Sequence, residues 1–169
     1  NQVNILMIGK LHQERKGHLL LLRAINSLYE EFDLSVTIIG SLSSNNSDHY
    51  QSVKKYISQQ ELKDIVTIRA DLDYDTVQQA YDSHDVDILP SWREPAAVSH
   101  LEAMRHGLAV ICTKTNGTSC YIKEDQNGYL LTRRSQSNLE AKLRKLLTSR
   151  ERIQTFGRHS RHLTETKYS

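Results

Sequence analysis

The fold class of this chain is decided by the segment Val86-Asp-Ile-Leu-Pro-Ser-Trp-Arg-Glu94-Pro-Ala-Ala-Val-Ser-His-Leu-Glu102. Residues 86–89 form a short, mainly apolar run that is typical of a buried strand. A tight turn from Pro90 to Pro95 follows, because proline cannot donate to a strand ladder and is well placed in the first turn of a helix. The segment therefore predicts a strand, a turn and a helix in succession, which is the repeating unit of a parallel sheet covered by helices.

The same alternation runs through the rest of the chain. Short apolar runs bounded by turn residues predict strands, and apolar residues at helical spacing predict the helices between them. The pattern indicates an α/β fold: a Rossmann-like, doubly wound parallel sheet of about six strands with helices on both faces. The predicted strands cover residues 3–8, 35–39, 65–68, 86–89, 108–112 and 128–131, and the predicted helices cover 17–32, 48–60, 75–83, 97–106, 137–148 and 151–162.

Length and composition exclude several classes of protein. The 169 residues suit one domain, and the charged fraction of 25% is ordinary for a globular chain. Neither a membrane-spanning run nor a leader pattern is found, and Cys112 and Cys120 form neither a disulfide framework nor a zinc spacing. We therefore expect a cytoplasmic protein, with the inner face of a membrane as an alternative location.

A basic segment lies near the end of the chain. Residues 133–161 hold nine Lys or Arg residues against two glutamates. Such a segment can bind anionic lipid, so peripheral membrane contact is one interpretation, although we favour the outer face of two helices. Because no aromatic residues alternate with the basic ones, we expect no binding of nucleic acid.

The two glutamates of the opening segment are separated by seven residues. Glu94 is predicted in the loop above the strand end and Glu102 about one turn inside the helix, so both carboxylates can face one crevice. Between them, the free N–H groups of Ala97 and Val98 form an anion site at the helix start. This arrangement suits a ligand with hydroxyls beside phosphates, such as a sugar nucleotide. The alternative is that Glu94 starts the helix and Glu102 is a solvated helix residue.

A second segment, Ile5-Leu-Met-Ile-Gly9-Lys10-Leu-His-Gln-Glu-Arg15-Lys16-Gly17, predicts a strand, a basic loop and a helix start. Lysines in such a loop stand where doubly wound sheets bind ligands, beyond the carboxyl ends of the strands. The loop matches neither the P-loop nor the Gly-x-Gly-x-x-Gly fingerprint. It is either a phosphate site or a solvated basic loop.

Together these motifs resemble the C-terminal, donor-binding domain of the group 1 (family 4) retaining glycosyltransferases of GT-B fold. The matching stretches come in the order of the family and cover nearly the whole chain. They are Gly9-Lys10, Lys16-Gly17, Ile38-Ile39-Gly40, Tyr81, Asp85, Pro90-Ser91, Glu94-x(7)-Glu102, Gly107-Leu-Ala-Val-Ile and Asn127-Gly128.

The chain departs from the family pattern at three places. Ala97 stands where the family usually has glycine three residues after the first glutamate, and Ala70 replaces a frequent glycine after the third strand. The usual Gly-Gly-x-x-Glu is Asn116-Gly117-Thr-Ser-Cys120, which removes a carboxylate. These changes bear on which donor is bound more than on whether a donor is bound.

The resemblance implies a retaining, metal-independent enzyme that needs no cofactor. It would transfer a sugar from a nucleoside diphosphate sugar to a saccharide or lipid-linked saccharide acceptor, in polysaccharide or glycolipid synthesis of bacterial type. The implied catalytic residues are Glu94, which binds the transferred sugar, and Lys10 and Lys16, which neutralise the diphosphate, while Glu102 accepts from ribose hydroxyls. The implied donor-binding residues are Gly9, Lys10, Lys16, Glu94, Ala96, Ala97, Val98 and Glu102, with no metal ligand among them.

The resemblance also implies that residues 1–169 form a single domain, the nucleotide-sugar-binding half of a two-domain enzyme. An N-terminal acceptor domain and a terminal crossover helix would lie outside this sequence, so the chain alone is expected to transfer no sugar. Two alternatives stay open: a nucleotide-sugar epimerase of the same fold, and a non-catalytic nucleotide-sugar-binding module.

Other motifs are less specific. Three Asp-x-Asp pairs are not expected to bind a metal. Asp71/Asp73 and Asp73/Asp75 are predicted to serve a turn and a helix cap, and Asp85/Asp87 lies at the start of a buried strand. Trp92 and Arg93 are either part of the acceptor side of the cleft or a surface turn.

Overall fold

The fold is described from a computed structural model, which describes residues 1–43, 46–92, 94 and 98–168. Strands and helices alternate along these residues, and each predicted element is present, with ends that differ from the prediction by a few residues at most. The strands are β1 (Val3–Ile8), β2 (Leu34–Gly40), β3 (Val66–Ala70), β4 (Val86–Leu89), β5 (Ala109–Thr113) and β6 (Gly128–Leu131); the helices are α1 (His18–Leu28), α2 (Asp48–Gln59), α3 (Tyr74–Asp82), α4 (Val98–Arg105), α5 (Gln136–Leu147) and α6 (Arg150–Thr166).

The six strands form one parallel sheet in the order β3-β2-β1-β4-β5-β6. β1 lies between β2 and β4, so the direction in which the chain adds strands reverses at β1. In sheets of this kind, ligands bind in the crevice beyond the carboxyl ends of the strands at that reversal. The topology therefore places the loops after β1 and β4 side by side at the expected ligand site.

Helices cover both faces of the sheet, as predicted. Successive strand residues face opposite sides. Ile5 and Met7 accordingly join one buried cluster, which includes residues of α1, α2 and α5, while Leu6 joins a second cluster with residues of α3 and α4. The continuous apolar character of the strands follows from burial on both faces.

The largest boundary difference at a helix end concerns α1 and α6. α1 ends at Leu28 rather than at residue 32. The N–H groups of Glu31 and Phe32 both donate to the Leu28 carbonyl, at 3.0 and 3.2 Å, in the turn that leads to β2. α6 continues to Thr166 instead of ending at residue 162. None of the helices within the described residues is both long and apolar enough to cross a membrane.

The predicted capping role of Asp73 is confirmed. Its carboxylate accepts a hydrogen bond of 2.8 Å from the N–H of Thr76 at the start of α3. A side-chain oxygen at this position satisfies one of the N–H groups that the first helical turn leaves without a partner.

Candidate functional site

A cavity of about 340 Å³ opens where the topology predicts it, beyond the carboxyl ends of β1, β2 and β4. We call it the switch-point cavity. It joins the loop after β1, the loop after β4 and the first turn of α4, so the two motifs of the sequence meet here. Its described lining residues are Ile8, Gly9, Lys10, Lys16, Gly40, Ser41, Leu89, Glu94, Val98 and Ser99.

An ion pair between Lys16 and Glu94 lies in this cavity. Lys16 Nζ is 2.5 Å from Glu94 Oε2, and only 8% and 7% of the two residues is exposed. Arg15 Nη1 approaches the same oxygen at 3.3 Å. A buried charge is costly unless it is paired, so burial of the Lys16 ammonium group requires the Glu94 carboxylate, and the reverse holds as well. The sequence predicted Lys16 in a polar loop but not that it is buried against Glu94.

The backbone holds the two loops in close contact. Gly17 has a φ of 89°, and a Cβ atom there would lie 2.6 Å from the carbonyl oxygen of Pro90. The N–H of Trp92 donates to the carbonyl of Arg15 at 2.7 Å. Glycine at position 17 is therefore required both by its conformation and by the approach of the second loop.

His18 contacts the backbone of the loop after β1, a role that the sequence analysis did not predict. The residue is fully buried, with Nε2 3.3 Å from the carbonyl oxygen of Gly9 and Nδ1 3.0 Å from Nε2 of His49. Burial lowers the pKa of His18 to about 4. The ring is therefore neutral at pH 7, and because a carbonyl can only accept, the proton lies on Nε2 and His49 donates to Nδ1.

Glu102 lies in α4 with a partner of its own. Its Oε1 atom is 2.6 Å from Nη1 of Arg105, and its side chain is 21% exposed. It is not among the described residues that line the switch-point cavity. Glu94 and Glu102 thus face different cations in this structure, and a contact of Glu102 with a ribose stays a prediction.

The other predicted donor-binding residues are Gly9, Lys10, Ala96, Ala97 and Val98. Val98 lines the cavity and is 65% exposed, whereas Ala96 and Ala97 lie outside the described residues. Lys10 is exposed and lines the cavity. Gly9 also lines the cavity, but it is buried, and its N–H donates to the carbonyl of Ile39 at 2.9 Å.

A buried pair of Asp87 and His100 attaches α4 to the sheet. His100 Nδ1 is 2.7 Å from Asp87 Oδ2, and the two residues are 0% and 1% exposed. Burial lowers the pKa of His100, but its interactions with Asp87, and to a smaller extent with Cys112, outweigh that effect and raise it to about 10. At neutral pH His100 is therefore an imidazolium. The sequence offered one signal for the pair, an aspartate inside an apolar strand.

A second cavity, of about 400 Å³, lies beside the first and is lined by Glu14, Arg15, Trp92 and Arg134. We call it the tryptophan cavity. Trp92 is 45% exposed, so its indole is available to a ligand. Arg93, which the sequence grouped with Trp92, lies outside the described residues.

Within the part of the chain that the structure describes, no group of three or more His, Cys, Asp or Glu residues is arranged to hold a metal ion. Cys112 is buried and Cys120 exposed, and both are free thiols.

Comparison with known proteins identifies relatives over nearly the whole chain. Residues 1–163 match the family model described as glycosyl transferases group 1. Spore coat protein SA of Bacillus subtilis is 27% identical over 97% of this chain and 44% of that protein. A D-inositol 3-phosphate glycosyltransferase of Paenarthrobacter aurescens is 30% identical over 76% of this chain and 31% of that protein. The chain thus spans less than half the length of these curated relatives.

Solved structures share the fold. The C-terminal domain of a group 1 glycosyl transferase from Francisella tularensis superposes with a TM-score of 0.87, at 22% identity, over 99% of this chain and 86% of that chain. The Anabaena protein HepE, solved in complex with UDP, gives a TM-score of 0.89 at 18% identity, over 100% of this chain and 45% of that chain.

Proposed function

This chain belongs to the group 1 glycosyl transferases, and on that premise we propose that it is the donor-binding part of an enzyme that transfers a sugar from a nucleoside diphosphate sugar. The acceptor is a saccharide or a lipid-linked saccharide, bound mostly by an N-terminal domain outside this sequence. The observation that carries the proposal is the Lys16–Glu94 pair within the switch-point cavity, with Lys10 beside it. Cations next to a carboxylate suit a ligand that has phosphates next to hydroxyls.

The two lysines are the proposed diphosphate ligands. An ammonium group has three N–H donors, and Lys16 uses one of them on Glu94, which leaves donors for phosphate oxygens. Lys10 is exposed at the cavity and adds a second positive charge. When the bond between sugar and diphosphate breaks, negative charge grows on the diphosphate, and fixed cations stabilise that charge.

Glu94 is the proposed ligand of the transferred sugar. Both ion-pair contacts of its side chain with described residues use Oε2. Oε1 is therefore placed to accept hydrogen bonds from sugar hydroxyls while Oε2 stays fixed by Lys16 and Arg15. The amides at the start of α4, beside Val98 and Ser99, complete the anion site in this proposal.

We further propose that the enzyme retains the anomeric configuration of the transferred sugar, needs no metal ion, and acts in polysaccharide or glycolipid synthesis. Metal independence is supported by Lys10 and Lys16, which supply the positive charge that a metal would otherwise bring to the diphosphate. Analysis of the product by NMR gives the anomeric configuration, and an assay with and without a chelator tests the need for a metal.

Nucleotide binding by this chain tests the donor site directly. We expect Lys10→Ala to weaken binding of UDP by about 1–3 kcal/mol in calorimetry at low salt, as for loss of a charge-assisted hydrogen bond, and the loss to shrink as salt rises. Because Lys10 is exposed, the change does not threaten folding. Lys63→Ala is the matched control. Lys63 is an exposed lysine just before β3, so it lies at the amino ends of the strands, whereas the cavity lies beyond their carboxyl ends. If the Lys10→Ala and Lys63→Ala variants bound UDP with equal affinity, Lys10 would not be a ligand of the diphosphate.

Transfer activity tests the proposed division into two domains. The chain alone should bind UDP and transfer no sugar, because transfer needs donor and acceptor held together. A longer protein with an N-terminal domain should be active, and a chelator should not inhibit it. Conversion of a UDP-sugar without any acceptor would instead indicate an epimerase, and binding without turnover in the longer protein would indicate a non-catalytic module.

A further inference from the structure

The tryptophan cavity lies next to the proposed donor site and is connected to it by one residue pair. Glu94 lines the switch-point cavity, while Arg15, whose guanidinium contacts Glu94 Oε2 at 3.3 Å, lines the tryptophan cavity. Trp92 stands two residues before Glu94 in the same loop. A molecule in the tryptophan cavity therefore borders the place where the transferred sugar would lie.

Trp92 gives this cavity a surface suited to a sugar ring. Trp92 is 45% exposed, although its backbone N–H donates to the carbonyl of Arg15 at 2.7 Å and fixes its position. An aromatic ring offers a flat apolar area at a low entropic cost, and its N–H adds a donor. The carboxylate of Glu14, at the rim of the same cavity, can accept hydrogen bonds from hydroxyls.

Arg134 brings into the cavity a guanidinium group that forms no ion pair with a described carboxylate. Its Nε donates to the carbonyl of Pro90 at 3.2 Å, which holds the guanidinium at the cavity wall. The outer N–H groups of a guanidinium bind phosphate or carboxylate through parallel hydrogen bonds.

We propose that the tryptophan cavity binds an anionic sugar as the acceptor of the transfer reaction. The sugar ring packs on the indole of Trp92, and its phosphate or carboxylate binds Arg134, with Arg15 contributing. The inference rests on the proposed function, since only a transferase requires an acceptor beside Glu94. Binding of donor and acceptor on the two sides of one carboxylate brings the reacting groups together.

The chain provides its own probe for this cavity, because Trp92 is its sole tryptophan. We would titrate the chain with glucose 6-phosphate, glucuronate, glucose and inorganic phosphate while following Trp92 fluorescence. UDP at saturating concentration occupies the switch-point cavity during these titrations, so that phosphate cannot bind Lys10 and Lys16. A separate calorimetric titration with UDP reports on the proposed function alone.

We expect saturable changes in fluorescence with glucose 6-phosphate or glucuronate at affinities at least about 10-fold higher than for glucose, the value of one charge-assisted hydrogen bond. Arg134→Gln should reduce that affinity by about 10-fold. Arg133→Gln is the matched control, because it removes the same charge at the neighbouring exposed position, outside the described lining of the cavity. Neither change should alter the affinity for UDP.

Three results would overturn the inference: equal affinities for the anionic sugars and for glucose, equal losses in the Arg133 and Arg134 variants, or inorganic phosphate changing the fluorescence as strongly as glucose 6-phosphate. Failure of UDP to bind would instead reject the proposed function. The two failures are therefore read from different titrations.

Discussion

Removal of the His100 imidazole should destabilise this protein more than most single substitutions. In a His100→Leu variant the carboxylate of Asp87, which is 1% exposed, stays buried without its partner at 2.7 Å. Breaking a buried ion pair in this way costs about 3–5 kcal/mol. Replacement of both residues, in Asp87→Val/His100→Leu, removes the unpaired charge and should recover most of that loss.

The raised pKa of His100 reflects the same interaction and makes it dependent on pH. Its pKa is about 10 in the folded chain against 6.5 for an ordinary histidine. Because folding raises this pKa, the stabilisation is fully present below pH 6.5, falls as the pH rises, and is lost above pH 10.

Urea unfolding followed by circular dichroism measures both effects. We expect the double variant to lack the part of the decline between pH 6.5 and pH 10 that His100 causes in the unmodified chain. His162→Leu, at an exposed position of α6, is the control and should change the free energy of unfolding by less than about 0.5 kcal/mol. A cost below about 1 kcal/mol for His100→Leu, or a double variant no more stable than the single one, would refute the proposed contribution of this buried pair to stability.

Three further changes test other parts of the structure. Glu102→Gln should weaken calorimetric binding of UDP by about 1 kcal/mol and leave inorganic diphosphate unaffected if Glu102 accepts from ribose hydroxyls; equal losses for both ligands would contradict this role. Gly17→Ala should lower the free energy of urea unfolding by about 1–3 kcal/mol, because position 17 combines a φ of 89° with a Cβ position 2.6 Å from Pro90 O. Gly107→Ala, at a φ of 79° but with no contact nearer than 3.6 Å, should cost less. Since folding lowers the pKa of His18 from 6.5 to about 4, stability should fall as the pH decreases through this range, and a His18→Gln variant should lose this part of the decline.

The order of the strands and helices could be predicted because it depends on local patterns of apolar and turn-forming residues. β1, β4 and β6 have the bounds that the sequence predicted, since each is a short run buried on both faces and ended by glycine, proline or a polar residue. Helix ends were predicted less well, because the end of α1 depends on the turn that Glu31 and Phe32 make toward β2. The two loops that contain Lys16 and Glu94 could also be recognised in the sequence, because in each of them charged residues follow a predicted strand.

The sequence by itself thus determined the parallel α/β architecture and the two loops that supply the candidate donor site. Only the tertiary structure decided that Lys16 and Glu94 pair across 78 residues and that Asp87 and His100 form a buried ion pair. The physical reason is the same in each case. Strand and helix periodicity repeats within a few residues, whereas the partner of a charged side chain is fixed by which strands become neighbours and by how much water their packing removes.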